Sequence, residues 1–166
     1  MNKKTQRIAV IGVISAFAII LSYIESLISF NFFVPGVKLG LANLAVVMVM
    51  YILGNREAII VNLIRILIVG LLFTNLFSIL FSIAGAVISF LLMVLAKRTG
   101  KLSVMGVSVI GGVSHNIGQI IVAAFVVETY SVIYYVPVLI VAGVVTGMIN
   151  GIVSETLVKY LRGILK

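Results

Sequence analysis

Long apolar runs separated by short polar segments are the feature that most constrains this chain. Of its 166 residues, 63% are hydrophobic and only 10% are charged. Soluble domains average roughly 45–50% apolar and about 25% charged residues. A water-soluble fold of this length keeps much of its surface in water and has no means of hiding so much apolar area. The sequence therefore predicts an all-α, polytopic membrane protein with the lipid bilayer as its solvent.

The apolar runs divide into six predicted transmembrane helices, because a spanning helix needs about 20 mostly apolar residues. Residues 58–96 form one run that, as a single helix, would be about 58 Å long, nearly twice the bilayer core. We therefore predict two helices there, with a turn at Thr74 and Asn75, since asparagine favours helix N-caps. The predicted single transmembrane domain covers residues 1–166, with helices at about 8–29, 37–53, 58–73, 76–96, 103–127 and 131–158.

The N-terminal run also resembles a secretory signal peptide. No small-residue cleavage site precedes a polar mature domain, so we interpret this run as a retained first helix.

Basic residues fall on one side of this arrangement. With six spans, ten of the twelve lie in the two termini and in the two loops on the same side of the membrane as the termini. Only Lys38 and Arg65 lie elsewhere. Cytoplasmic loops carry such an excess of lysine and arginine, so both termini are predicted to be cytoplasmic. The net charge of +8 is then a topology signal, and no nucleic-acid partner is expected. The ten residues are Lys3, Lys4, Arg7, Arg56, Lys97, Arg98, Lys101, Lys159, Arg162 and Lys166.

Missing residue types exclude several chemistries. The chain has no cysteine, no aspartate and a single histidine, His115, and its four glutamates are scattered. Disulfides and thiolate chemistry are therefore excluded. Magnesium-dependent phosphate chemistry normally uses clustered carboxylates, and no Walker loop is present. We expect no catalytic residue, no metal and no cofactor, so any energy from ATP has to come through another subunit.

Arg65 lies near the middle of the predicted third helix, with Asn62 one turn away. A charge at this depth costs at least about 2.5–3.5 kcal/mol, so it should face the bundle interior or a wet cavity. One interpretation is structural: Arg65 satisfies carbonyl oxygens of a broken neighbouring helix. The other is ligand binding, the usual role of an intramembrane charge.

The predicted fifth helix carries His115, Asn116 and Gln119 at similar depth. Gln119 shares a face with His115 because the two residues are four positions apart. Small residues on the same face favour close helix packing. Two interpretations stay open: a ligand site, or a hydrogen-bonded cluster that only holds helices together. One histidine by itself does not indicate a metal site.

A second group of polar residues lies toward the outer surface. Lys38 opens the predicted second helix, and Asn43 lies about one and a half turns deeper. Lys38 either snorkels to the membrane interface or contacts a ligand, and Glu25 either pairs with Lys38 or contacts a ligand. Three helix N-termini, with their partial positive charge, also lie on this side. Together with Lys38, Arg65 and His115 they favour an anion that enters from outside.

Two patterns of small residues indicate close packing, either within the bundle or against a partner protein. The sixth helix contains Gly143, Gly147 and Gly151 at intervals of four, and the first contains Gly12 and Ala16.

Several motifs together resemble one bacterial family of small membrane proteins, called heptaprenyl diphosphate synthase component I and also the Gx transporter family. They are Pro-Gly-Val-Lys-Leu-Gly-Leu-Ala-Asn-Leu at 35–44, Arg65, residues 82–85, Gly-Gly-Val-Ser-His-Asn-Ile-Gly-Gln at 111–119 and Tyr-Tyr-Val-Pro at 134–137. The resemblance covers nearly the whole chain. The family is similar to the substrate-binding S components of energy-coupling factor transporters, which implies six helices and an outward-facing site. It also implies docking of a coupling subunit on small residues of helix one, a pattern that Gly12 and Ala16 match loosely.

Two functions follow from these observations, and a purely structural role in assembly stays open as a third. The first is an S-component-like transporter subunit of the bacterial cytoplasmic membrane that captures a small anionic ligand from outside, with an ATPase module as partner. The second is a non-catalytic membrane subunit associated with heptaprenyl diphosphate synthesis, since catalytic prenyl synthases use aspartate-rich motifs. The predicted ligand-binding residues are Lys38, Asn43, Arg65, His115, Asn116 and Gln119.

Overall fold

The computed structural model describes residues 2–27, 40–127 and 134–164. These residues form six α-helices and include no strand. The predicted all-α class is thus confirmed. The helices are α1 (Lys3–Leu27), α2 (Asn43–Ile52), α3 (Asn55–Phe73), α4 (Leu76–Arg98), α5 (Val104–Val127) and α6 (Val136–Ile164).

Four of the described helices, α1, α4, α5 and α6, are long and apolar enough to cross a membrane. α3 has 19 residues but carries Arg56, Glu57 and Arg65. α2 has 10 residues and is therefore about 15 Å long, half of a bilayer core. Six complete spans and cytoplasmic termini remain predictions.

The start of α2 differs from the sequence prediction. The helix begins at Asn43 rather than at residue 37, and residues 37–39 lie outside the described structure. Gly40 has a φ of 88°, in the left-handed region that disfavours residues with a side chain. Its carbonyl oxygen accepts a hydrogen bond from the Asn43 backbone N–H at 2.9 Å. The positive φ of Gly40 ends the helical path and shortens α2.

Other helix ends extend beyond the predicted apolar runs. α1 begins at Lys3 rather than at residue 8, α3 at Asn55 rather than at 58, and α6 continues to Ile164 rather than to 158. Hydropathy marks the apolar part of a helix, whereas backbone hydrogen bonding continues through the polar residues at its ends.

α3 and α4 are separated by the two residues that the sequence marks as a turn. The side chain of Asn75 caps α4 by accepting a hydrogen bond from the Ser78 backbone N–H at 2.9 Å. The Thr74 hydroxyl donates to the Gly70 carbonyl oxygen at 3.1 Å. A Cβ added at Gly70 would lie 2.3 Å from Cγ1 of Ile79, so α3 and α4 pack closely beside the turn.

α2 occupies the centre of the bundle. α3 contacts α1 and α4, α5 contacts α4 and α6, and α2 contacts α1, α3, α5 and α6. The row α1–α3–α4–α5–α6 therefore curves around α2, which touches both ends of the row. Every residue from Asn43 to Met50 is buried, so α2 is enclosed by protein.

Basic side chains hold the C-terminal end of α2. Arg7 of α1 donates to the carbonyl oxygen of Leu53, the residue that follows α2, at 3.2 Å and also to Glu57 of α3. Lys97 of α4 donates to the Met50 carbonyl oxygen. The Lys97 ammonium also lies 4.7 Å from the ring centroid of Tyr51. A cation at a helix C-terminus is stabilised by the helix dipole and by the free carbonyl groups. Basic residues of α1 and α4 are thus gathered at one end of the bundle.

The three glycines of α6 pack against α5. A Cβ added at Gly147 would lie 2.6 Å from the Cα of Val109, and Gly143 and Gly151 make similar approaches to the α5 backbone. By contrast, a Cβ added at Gly12 would meet no atom within 4 Å, and both Gly12 and Ala16 are exposed. The α6 glycines therefore contact α5 within this chain, whereas the small residues of α1 face outward.

Replacing Gly147 by alanine is expected to lower the free energy of unfolding by about 1–3 kcal/mol, the usual cost of overpacking. The matched Gly12→Ala variant should be neutral or slightly stabilising, because alanine favours helix by up to about 1 kcal/mol. Denaturant titration of both variants in detergent micelles measures the difference. Equal stabilities for the two variants would contradict the α5–α6 contact.

Candidate functional site

Arg65 is buried in the bundle, with only 4% of its surface exposed. Its Nε donates to Oδ1 of Asn62 at 2.8 Å. Its two terminal nitrogens donate to Oγ of Ser22 and to Oδ1 of Asn43, each at 3.3 Å. One guanidinium thus joins α1, α2 and α3 through side-chain hydrogen bonds.

Gly40 is the second point where helices meet. Its N–H donates to the carboxylate of Glu25 on α1, which also accepts from the Leu41 N–H at 3.1 Å. Its carbonyl oxygen accepts a hydrogen bond from Nδ2 of Asn150 on α6 at 3.0 Å. Glu25 and Asn150 are both buried. The turn before α2 is therefore held by side chains from the first and last helices.

Buried charges of both signs occur in this region. The Glu25 carboxylate attracts the Arg65 guanidinium electrostatically, which offsets part of the cost of burying each charge. The sequence suggested that Glu25 pairs with Lys38 or contacts a ligand, but its described hydrogen bonds go to the backbone of residues 40 and 41. Glu25 and Arg65 carry one charge of each sign, and Lys38, the other predicted binding cation, lies outside the described residues.

His115 and Gln119 form a pair on α5, with 2.7 Å between their Nε2 atoms, and both are buried. A Cβ added at Gly40 would lie 3.5 Å from Cδ2 of His115, and one added at Gly85 would lie 2.9 Å from its Cε1. The imidazole thus lies against two glycines, one in the turn before α2 and one on α4. The absence of side chains at Gly40 and Gly85 makes room for the ring.

Asn116 has different neighbours. Its Nδ2 donates to the Leu139 carbonyl oxygen at 2.8 Å, which ties α5 to α6. Of the six predicted binding residues, Arg65 and Asn43 are hydrogen-bonded to each other. The His115–Gln119 pair lies beside Gly40, and Asn43 contacts Gly40 as well. Asn116 makes its described hydrogen bond on the α6 side.

Sequence reasoning missed three contributors: Ser22, Asn150 and the backbone of Gly40. Asn150 was detectable in principle, because it is a polar residue between Gly147 and Gly151 in an apolar helix and such residues face the bundle interior. Gly40 carried no comparable signal, because its role depends on residues from distant helices.

Among the buried polar atoms around these clusters that make no hydrogen bond to described residues are Nδ2 of Asn43, Oγ of Ser82 and Oδ1 of Asn116. Asn43 lies between Arg65 and Gly40, and Ser82 precedes Gly85 by one turn of α4. An unsatisfied buried polar group costs about 1–3 kcal/mol, so each of these atoms would gain from a polar partner.

A cavity of about 200 Å³ lies between α3 and α4, beside the Arg65 cluster. Its lining is apolar apart from Asn62, which accepts the hydrogen bond from Arg65. The lining residues are Ile59, Asn62, Leu63, Ile66, Ile83, Ala86, Val87, Phe90 and Leu91.

Four long apolar helices around a buried polar cluster define a multi-pass membrane protein. More particularly, the chain belongs to the heptaprenyl diphosphate synthase component I family, whose sequence model matches residues 14–157. The family resemblance inferred from the motifs is thereby confirmed. The family's name denotes one component of a synthase and so implies a partner component. No curated protein and no solved structure matches the chain.

Gly40→Ala is expected to destabilise the protein more than Gly100→Ala. Both glycines have positive φ, so both variants carry backbone strain of roughly 1–2 kcal/mol. Only at Gly40 would the added Cβ crowd a neighbour, Nδ2 of Asn43 at 3.3 Å, whereas Gly100 has nothing within 4 Å. Thermal unfolding in detergent compares the pair, and a Gly100→Ala variant of equal or lower stability would contradict the role given to Gly40.

Proposed function

We propose that this protein is the ligand-binding membrane subunit of a transporter, which captures a small anionic ligand from the outer face and works with a partner energising module. The observation that carries the proposal is Arg65, a buried cation surrounded by side chains from three helices. An intramembrane charge of this kind marks a ligand pathway more often than a packing contact.

Within this proposal each polar residue has a distinct role. Arg65 and Lys38 supply two positive charges, which together exceed the single negative charge of Glu25. Asn43 offers its unpaired Nδ2 beside the guanidinium. His115 and Gln119 orient the ligand by hydrogen bonds across the turn at Gly40. Asn116, also proposed as a binding residue, supplies a buried Oδ1 with no described partner.

The proposed arrangement has six spans in the bacterial cytoplasmic membrane, with both termini in the cytoplasm. Arg65 lies nine residues beyond Arg56 on α3, a rise of about 14 Å, which is close to the midplane of a hydrocarbon core about 30 Å thick. The exposed face of α1 at Gly12 and Ala16 is the proposed docking surface for a coupling subunit, because small residues permit close helix approach.

Single cysteines test this topology without background, since the chain has no cysteine of its own. A membrane-impermeant maleimide should label Thr74→Cys in intact cells. It should label Arg56→Cys and Lys101→Cys only after the membrane is permeabilised. Labelling of Arg56→Cys from outside would contradict α2 and α3 as spans and would favour a re-entrant pair.

The anion-binding proposal is tested by ligand-dependent thermal shift of the purified protein. The probes are flavin mononucleotide, thiamine diphosphate, inorganic diphosphate and farnesyl diphosphate. At least one should raise the melting temperature of the wild type and of Arg56→Ala, whose arginine is exposed on the same helix, but not of Arg65→Ala. Arg65→Lys, which keeps the charge but loses the planar fork of donors, should respond weakly.

The proposal fails if no anion shifts the wild type, or if Arg65→Ala responds as fully as Arg56→Ala. Because Arg65→Ala also removes buried hydrogen bonds, its folding is checked first by size-exclusion chromatography. Should it not fold, Arg65→Lys carries the comparison alone, and a wild-type response from that variant contradicts the proposal.

A second candidate function is that of a non-catalytic membrane subunit associated with heptaprenyl diphosphate synthesis. The family's name favours it, and the absence of aspartate leaves the magnesium-dependent chemistry to another chain. Affinity purification from native membranes separates the two candidates. Co-purifying ATPase and coupling subunits support the transporter, and a co-purifying soluble prenyl synthase supports the synthase component.

A further inference from the structure

We infer that the cavity between α3 and α4 holds the hydrocarbon chain of an amphiphilic ligand whose anionic head group binds at Arg65. This inference rests on the proposed function, because it takes the anion site as given. It adds the place of the chain and the amphiphilic character of the ligand, a phosphate or diphosphate ester of a long-chain alcohol.

The size and lining of the cavity suit a chain rather than a complete small molecule. Pockets for drug-sized ligands measure about 300–1,000 Å³, whereas this cavity measures about 200 Å³ and is almost wholly apolar. Three of its lining residues, Leu63, Val87 and Leu91, are at least half exposed on the outer surface of the bundle. With α3 and α4 in the bilayer, the cavity opens sideways to lipid, and a chain has access to it without crossing water.

Asn62 connects the apolar cavity to the cation. This side chain lines the cavity, is 5% exposed and accepts from Nε of Arg65 through Oδ1. Its amide nitrogen makes no hydrogen bond to a described residue. An amide donor beside a guanidinium is suited to phosphate oxygens. The cavity therefore carries its polar group at the point where a chain would join an anionic head.

A bulk phospholipid fits this geometry poorly. Asn62 is six residues from Arg56 on α3, which places it about 9 Å deeper along the helix, whereas phospholipid head groups stay at the interface. The depth of Arg65 and Asn62 calls for a ligand whose small anionic head is drawn into the hydrocarbon region, and buried hydrogen bonds to a cation make this possible.

The matched pair Leu63→Trp and Leu67→Trp tests the inference. Both leucines lie on α3 one turn apart and are about equally exposed, at 50% and 49%, but only Leu63 lines the cavity. Binding is measured in nanodiscs with inorganic phosphate, farnesyl phosphate and dodecyl phosphate. The wild type and Leu67→Trp should bind at least one chain-bearing phosphate about tenfold or more tightly than inorganic phosphate. Leu63→Trp should lose this advantage while still binding inorganic phosphate.

The failures of the two proposals are distinguishable. If inorganic phosphate binds as tightly as both esters, or if Leu63→Trp and Leu67→Trp behave alike, the chain site is overturned while the anion site stands. If none of the three ligands binds to the wild type, or if Arg65→Ala binds them as tightly as the wild type, the anion site itself fails. A preference for farnesyl over dodecyl phosphate, or the reverse, supports the inference and identifies the kind of chain.

A farnesyl phosphate analogue with a diazirine at the chain end gives a second, independent measurement. In the wild type its crosslinks should map to cavity residues of α3 and α4, and unlabelled farnesyl phosphate should compete for them. Crosslinks spread evenly over the outer surfaces of all helices, without competition, would overturn the inference.

Discussion

The burial of a guanidinium inside the helical bundle is the constraint on which the rest of the structure depends. Arg65 is buried away from solvent, so its charge and its N–H groups need partners from the protein. Ser22, Asn43 and Asn62 supply the hydrogen bonds, and Glu25 supplies a nearby opposite charge. Because these residues come from α1, α2 and α3, satisfying one side chain fixes how three helices approach each other.

The same constraint explains the short central helix. An N-terminus inside the bundle exposes backbone N–H groups, and buried N–H groups are tolerated only where a partner satisfies them. Glu25 accepts from the N–H groups of Gly40 and Leu41, and Asn150 donates to the Gly40 carbonyl oxygen. Lys97 satisfies a carbonyl at the other end of α2. Helix α2 is thus held at both ends by side chains of its neighbours, and its N-terminal turn lies beside Arg65 and His115.

Hydrocarbon and charge meet at one residue, Asn62, which belongs both to the Arg65 cluster and to the apolar cavity between α3 and α4. An amphiphile needs a polar site for its head group and an apolar site for its chain, and this arrangement provides the two separately. In the proposed site the cluster holds the head group by charge and hydrogen bonds, and the cavity holds the chain by close packing. The second candidate function, a component of prenyl diphosphate synthesis, involves the same ligand chemistry.

The sequence by itself determined the helical class, the division near Asn75 and the presence of buried polar groups at Arg65 and His115. These follow from hydropathy, residue propensity and the cost of charge in lipid, which are properties of local segments. Only the tertiary structure decided where α2 begins, what Glu25 binds and that a cavity adjoins Asn62. Residues 37–53 are apolar enough to continue as one helix, and the break at Gly40 is held by Glu25 and Asn150, which are 15 and 110 residues away along the chain. Local patterns carry no record of such distant hydrogen bonds, because the bonds exist only once the helices have packed.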